Sequence, residues 1–195
     1  MVESAPGGSG TKNVDIIGFI RNRNKWGMEA KGGLSVLSYY MLKRQIVVAW
    51  VITADHQTVI GNKNDGSGVW ASSDTIHQIG GGVDEGETLL AALQREATEE
   101  AGLDISEAEI SLIDDSQTMT TVKTLPNGKM VDCEMTFYAY LVKLPQNAKE
   151  YRLVAGDDLT NLRFVPIDQL EITKLTPPAI KIAKMLYWGN VASSA

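Results

Sequence analysis

Residues 80–103 read GGGVDEGETLLAALQREATEEAGL. From Thr88 to Ala101 the residues are strong helix formers without Pro or Gly, and Gly102 follows where a left-handed C-cap is expected. Leu89, Leu90, Leu93 and Ala97 make an apolar stripe on this helix. Glu96, Glu99 and Glu100, at i, i+3 and i+4, rise from neighbouring points along its edge. Glu96 and Glu100 are a like-charge i,i+4 pair, which costs an isolated helix roughly 0.2–0.5 kcal/mol. A helix selected for stability alone would avoid that pair. Three carboxylates beside a buried face make chemical sense around a hard divalent cation, and oxygen ligands without His or Cys indicate Mg²⁺ or Mn²⁺. Gly80-Gly81-Gly82 ahead of the helix lets the backbone approach a ligand closely. A Gly-rich segment feeding a helix N-terminus can also present amides to a phosphate.

Charge along the rest of the chain sharpens this. Between Gly81 and Leu103 six acids face one base, Arg95, whereas the remaining 18 acids and 17 bases nearly cancel. One dense acidic knot on a balanced surface reads as a cation site. DNA or RNA binding calls for a basic face, so no nucleic-acid partner is expected. Length (195 residues), 44% hydrophobic and 22% charged residues describe an ordinary globular chain. No apolar run approaches the roughly 18–20 residues of a membrane span, so no membrane partner is expected. The first residues lack a basic and apolar leader, and Cys133 is the only cysteine. A cytoplasmic location is therefore the expectation.

Residues 1–12, rich in Gly, Ser, Pro and Thr, read as a flexible tail. Residues 13–195 read as one domain with an N-terminal extension over 13–45, in which Val14–Ile20 suits a short strand. Up to Arg44 this front section carries seven bases and three acids. They are either ordinary solvated side chains or include one or two that meet substrate phosphates. Ile46–Thr53 is a β-branched run of the kind buried on both faces, and Thr58–Gly61 suits a returning strand. Ile110–Ile113, Met119–Thr124, Met130–Leu144 and Leu162–Val165 are further strands, and Pro126-Asn127-Gly128 is a hairpin turn. Thr176-Pro177-Pro178 starts a last helix. Strands this closely spaced do not make a βαβ series, so the fold class expected is α+β with a mixed sheet.

With those residues in view, Gly81, five residues, Glu87, seven residues, then Arg95-Glu96-Ala97-Thr98-Glu99-Glu100-Ala101-Gly102-Leu103 resembles the signature of the Nudix hydrolases. Ala97, in place of a bulky aliphatic, is the one departure among its specified positions, and it removes no ligand. Asp157-Asp158-Leu159 and Leu162–Asp168 resemble the family's late acidic loop and strand, with Phe164 in place of tryptophan. The resemblance implies an α/β/α sandwich around a mixed β-sheet. It implies metal-dependent hydrolysis of a nucleoside diphosphate linked to another group, a small-molecule nucleotide being the partner. On that reading Glu96, Glu99 and Glu100 hold Mg²⁺ (or Mn²⁺), with Glu96 and Glu100 catalytic, and Gly81 and Gly82 lie against the metal or phosphates. Glu87 and Arg95 pair and tie the loop to the helix.

Other candidates are weaker in the sequence. Asp158, ahead of the late strand, is either a further catalytic carboxylate or a turn residue. Glu134 shares the polar face of its strand with Tyr138 and Tyr140. That face is a base-binding wall, with Glu134 catalytic and Tyr138 touching substrate, or simply half exposed. Trp70 is the best placed of the tryptophans for stacking on a base, whereas Trp50 reads as core. His56 and His77 are isolated, and Cys133 reads as packing. The long front section resembles relatives in which such strands cover a neighbouring subunit, as in a homodimer. It tilts the substrate toward ADP-ribose or a nucleotide sugar over a nucleoside triphosphate. The alternative is a module that binds or senses a nucleotide without cleaving it.

Overall fold

The computed structural model describes residues 41–63, 74–125, 127–156 and 159–188. The tail 1–12 and the extension as far as residue 40 lie outside them. The β-branched run Ile46–Thr53 sits in β1 (Met41–Ile52), which begins five residues before that run. After it come β2 (Gln57–Lys63), β3 (Ile79–Gly82), α1 (Leu89–Ala101), β4 (Glu109–Thr124), β5 (Met130–Lys143), β6 (Leu159–Pro166) and α2 (Pro177–Ala183). Strand order is β4-β5-β1-β2-β6, with β3 also paired to β1. β1 runs parallel to β5 and antiparallel to β2 and β3, so the sheet is mixed as the strand spacing led one to expect.

Alternation along β1 divides the core into two layers. Val47, Ala49 and Val51 pack with Tyr140 and Val142 of β5 beneath Ala92, Leu93, Ala97 and Ala101 of α1. Trp50 packs with Ile60 and Ala139 on the opposite face against Ala179, Ile182 and Ala183 of α2. β1 is therefore buried on both faces, which is why it carries no polar alternation. Helices on either side of one mixed sheet make the expected α/β/α sandwich.

Local chemistry fixes the element ends. The Thr88 hydroxyl accepts from the Ala91 N–H at 3.2 Å and caps α1. Gly102, at φ +64°, closes it, with its own N–H on Thr98 and that of Leu103 on Ala97, both at 3.0 Å. In the β1–β2 turn, hydrogen bonds from the Thr53 hydroxyl, the Ala148 N–H and the Gln57 amide hold the Asp55 carboxyl down at about 2. That one side chain ties the turn to the segment after β5.

Two expectations change in detail. Ile110–Ile113 and Met119–Thr124 belong to a single strand, β4, kinked by bulges between Leu112 and Asp114 and between Asp114 and Gln117. The polar Asp-Asp-Ser-Gln segment looks like a loop in sequence. Here the Asp114 carboxylate accepts from the Ser116 hydroxyl (2.7 Å), the Gln117 amide (2.7 Å) and Lys181 (3.1 Å), and the strand passes through. In β5 the alternation of core and polar residues stops at Ala139, because Tyr140 and Val142 are buried beneath α1. Cys133 and Trp50 are buried as packing residues. No described helix is long and apolar enough to cross a membrane.

Candidate active site

The stripe read from the sequence holds at Leu93 and Ala97, with Leu89 packed against the core, and fails at Leu90. Leu90 is 55% exposed, and the buried residues are Ala92, Leu93, Glu96, Ala97, Glu100 and Ala101. Two glutamates thus stand within the face that docks on the sheet, where a side-chain carboxylate carries a large desolvation cost. What meets them there is the bare backbone of β3. Glu100, 1% exposed, accepts the Gly80 N–H at 2.7 Å and lies 3.3 Å from the Lys63 ammonium at the end of β2. The Glu96 carboxylate lies directly over Gly81, where a Cβ would come within 2.5–2.7 Å of its carbon and both oxygens. Burial pushes the Glu96 carboxyl up, and Arg95 opposes that shift.

Arg95 gathers the rest of the constellation. Its Nε and Nη2 donate to the two oxygens of Glu87 at 3.0 and 3.1 Å, a bidentate pair that draws the Glu87 carboxyl down. Nη2 also donates to the Gly82 carbonyl at 2.9 Å, and Nη1 reaches Glu96 at 2.7 Å and Glu99 at 3.0 Å. The loop between β3 and α1 is thereby tied to the helix through one guanidinium. With Arg95 between Glu96 and Glu99, and Lys63 on Glu100, the described residues bring no three acids or histidines together around one point. The donor set itself suits a hard divalent cation. It is all carboxylate oxygen, and burial keeps the Glu96 carboxyl raised even with Arg95 beside it.

The other sequence candidates fall elsewhere. Glu134 is half exposed near the start of β5, 3.4 Å from the exposed Lys43. Tyr138 stands on the α1 face of the sheet, and its hydroxyl accepts from the Gln45 amide at 3.0 Å. Neither is brought to the three glutamates by any hydrogen bond or ion pair. Asp158 and Trp70 lie outside the described residues.

A pocket of about 120 Å³ opens on the α2 face. Ile46, Val48, Trp50, Phe137 and Ala139 give it an apolar floor, and Gln78, His77, Gln117 and Thr176 supply polar groups. Lys63 and Gly80, the partners of Glu100, both line it, so the pocket abuts the acidic helix. Gln78 is 7% exposed, and its Nε2 and the Trp50 Nε1 are buried donors with no partner among the described residues. Sequence reasoning missed Lys63 and Gln78. Each precedes or follows a glycine-rich stretch without a motif of its own, and only the pairing of β2 and β3 with their neighbours brings Lys63 to Glu100 and Gln78 to the pocket.

The Gly81 contact gives a direct expectation. Gly81→Ala would drive the Glu96 carboxylate off the strand, because the Cβ would fall within 2.5–2.7 Å of its carbon and both oxygens. Turnover should fall about tenfold to a hundredfold, whereas the melting temperature, measured by calorimetry, should move only a few degrees. Full turnover in a folded Gly81→Ala protein would mean that the position of Glu96 over β3 is irrelevant to the chemistry.

Comparison with known proteins agrees with the fold. The family model described as "NUDIX domain" matches residues 42–186. No curated protein matches the chain in sequence. Among solved structures, the dihydroneopterin triphosphate pyrophosphohydrolase of E. coli is similar with a TM-score of 0.54 and 14% identity, covering 76% of this chain and 99% of its own. The MutT protein of Methanosarcina mazei Go1 is similar with a TM-score of 0.52 and 13% identity, covering 78% of this chain and 99% of its own. At such identities these likenesses speak for the fold.

Proposed function

On the premise that the chain belongs to the Nudix family, hydrolases that act on pyrophosphate bonds, we propose that it is a Mg²⁺-dependent pyrophosphohydrolase of a nucleoside diphosphate linked to a second group. The observation that carries the reading is the junction of the apolar pocket with the acidic helix. Lys63 and Gly80 line the one and bind Glu100 of the other. A base held against Trp50, Val48 and Phe137 would direct its diphosphate along the glycine strand toward Glu96, Glu99 and Glu100. An apolar pocket with a few fixed polar groups is what orients such a ligand.

Glu96, Glu99 and Glu100 are the residues that would hold the metal. Bound there, the cation supplies charge neutralisation for the diphosphate and acidifies a water. The chain's own contribution is positional. Arg95 orients Glu96 and Glu99 through one nitrogen, Gly80 fixes Glu100, and Gly81 keeps Glu96 seated by having no side chain. Lys63 places a positive charge where the phosphates would pass from pocket to helix. Glu96, held against ionisation by burial and toward it by Arg95, is the group proposed to orient or deprotonate the attacking water.

The test is product release from ADP-ribose, nucleotide sugars, dinucleoside polyphosphates and nucleoside triphosphates, each with Mg²⁺, Mn²⁺ or chelator. Metal-dependent cleavage of a nucleoside diphosphate linked to a sugar, with triphosphates poorer, is the expected result. Silence across the panel from folded protein that still binds nucleotide would overturn the enzyme in favour of a nucleotide sensor.

A further inference from the structure

Gly81 and Gly82 are neighbours on β3, so the positions of their missing side chains point to opposite faces of the sheet. The Glu96 carboxylate fills the space at Gly81 on the α1 side. The space at Gly82, on the other side, is filled by the guanidinium of Arg44: its Nη2, Cζ and Nε are the three nearest atoms to the Cβ site. Gly82 pairs with Ile46, a pocket residue two positions along β1 from Arg44, and Arg44 pairs across β1–β5 with Met135, two positions from the pocket residue Phe137. Arg44 therefore sits at the pocket's rim, on the same sheet face as its floor. It is half-buried and has neither a carboxylate nor a carbonyl partner among the described residues. Lys123 of β4, whose ammonium is held down by burial and by Arg44, is a charge of the same sign beside it. A half-buried arginine left without an anion among the described residues, in a chain of net charge −6, is costly to keep for packing alone.

We infer that Arg44, seated on Gly82, is an anion-binding residue that holds a phosphate oxygen of the substrate at the rim of the pocket. It acts on the face of β3 opposite the Glu96 carboxylate. The inference rests on the reading of the site as a pyrophosphohydrolase and deepens it. β3 becomes a thin wall with the metal-binding carboxylate on one side and a phosphate-binding guanidinium on the other. At 81 and 82 the glycines leave room for two different side chains, the Glu96 carboxylate and the Arg44 guanidinium. The fork of a guanidinium suits two phosphate oxygens at once, and the ligand class is a di- or polyphosphate.

The test is calorimetric titration of the full chain with inorganic pyrophosphate in the presence of chelator, so that no metal contributes. The wild-type chain should bind, and binding should weaken with added salt. Arg44→Gln should weaken it about tenfold or more, in line with the loss of a charge-assisted bidentate contact. Gly82→Ala keeps the arginine but removes its seat, and should weaken binding in the same direction. Arg44→Lys should recover part of the loss. In turnover, KM should rise by more than kcat falls. Unchanged pyrophosphate affinity in both Arg44→Gln and Gly82→Ala would overturn the inference, as would a wild-type chain that does not bind pyrophosphate. A lower melting temperature in Arg44→Gln with unaltered affinity would identify Arg44 as packing and would overturn it too. Failure of the broader reading looks different, since no substrate would be cleaved even though pyrophosphate binding could still be read.

Discussion

Glu100→Gln is expected to lower kcat/KM about a hundredfold or more at saturating Mg²⁺, the largest effect on turnover of any single conservative change in the chain. Glu100 is 1% exposed and meets, among the described residues, the Gly80 N–H at 2.7 Å and the Lys63 ammonium at 3.3 Å. Glutamine preserves the shape and can still accept from Gly80. Its NH2 group, however, sets a donor against the donor of Lys63, and the negative charge available to a cation is gone. Stability should fall by about 1–3 kcal/mol, the usual cost of a mismatched buried polar contact. The two effects separate in a titration of activity against Mg²⁺ alongside thermal unfolding. The exposed pair of Lys143 and Glu109, at 2.9 Å, provides the control: Glu109→Gln should change neither quantity appreciably. A folded Glu100→Gln protein with full metal-dependent turnover would remove Glu100 from the site and leave its burial without a functional reason.

The layout of the fold was legible from sequence because its signals are local. The β-branched run at Ile46–Thr53, the Gly102 cap and the turn at Gly128 each carry their own chemistry. The turn shows φ +80° at Gly128 and a Leu125–Lys129 hydrogen bond of 2.8 Å. Of the three glutamates picked out by spacing, α1 brings Glu96 and Glu100 to β3, while Glu99 meets Arg95. What the sequence concealed depends on partners far along the chain. Leu90 looked like core, and Glu96 and Glu100 looked like the edge of the stripe. Glycine at 80 and 81 reverses this, because a strand without side chains lets carboxylates, instead of leucines, dock against it. Tyr138 read as a pocket wall from its alternation; it stands on the α1 face with its hydroxyl on Gln45, whereas the pocket lined by Trp50 and Phe137 opens on the α2 face. Lys63 and Arg44 have no local motif at all. Each becomes visible only when strand register sets it beside a glycine or a glutamate.

Arg95 supports the second large expectation, and here the effect falls on stability as well as turnover. Its guanidinium makes five hydrogen bonds: two to Glu87 and one each to Glu96, Glu99 and the Gly82 carbonyl. Lysine carries three donors on a single atom and cannot span two oxygens of Glu87 while reaching the helix and the strand. Arg95→Lys should therefore release the loop between β3 and α1 and leave Glu96 and Glu99 without a common anchor. The expected cost is about 2–4 kcal/mol of stability, below the figure for a fully buried pair because a quarter of the Arg95 side chain is exposed. Turnover should fall with it, since the carboxylates lose their mutual orientation. Coupling to Glu87 is the discriminating measurement. In a double-mutant cycle of Glu87→Gln and Arg95→Lys followed by denaturant unfolding, the two changes should be non-additive by about 1–3 kcal/mol. Additive losses would mean that Glu87 and Arg95 act independently and that the loop is held by its backbone alone. In that case the Asp84 N–H, which donates to Glu87 at 3.1 Å, would be the contact that positions Glu87.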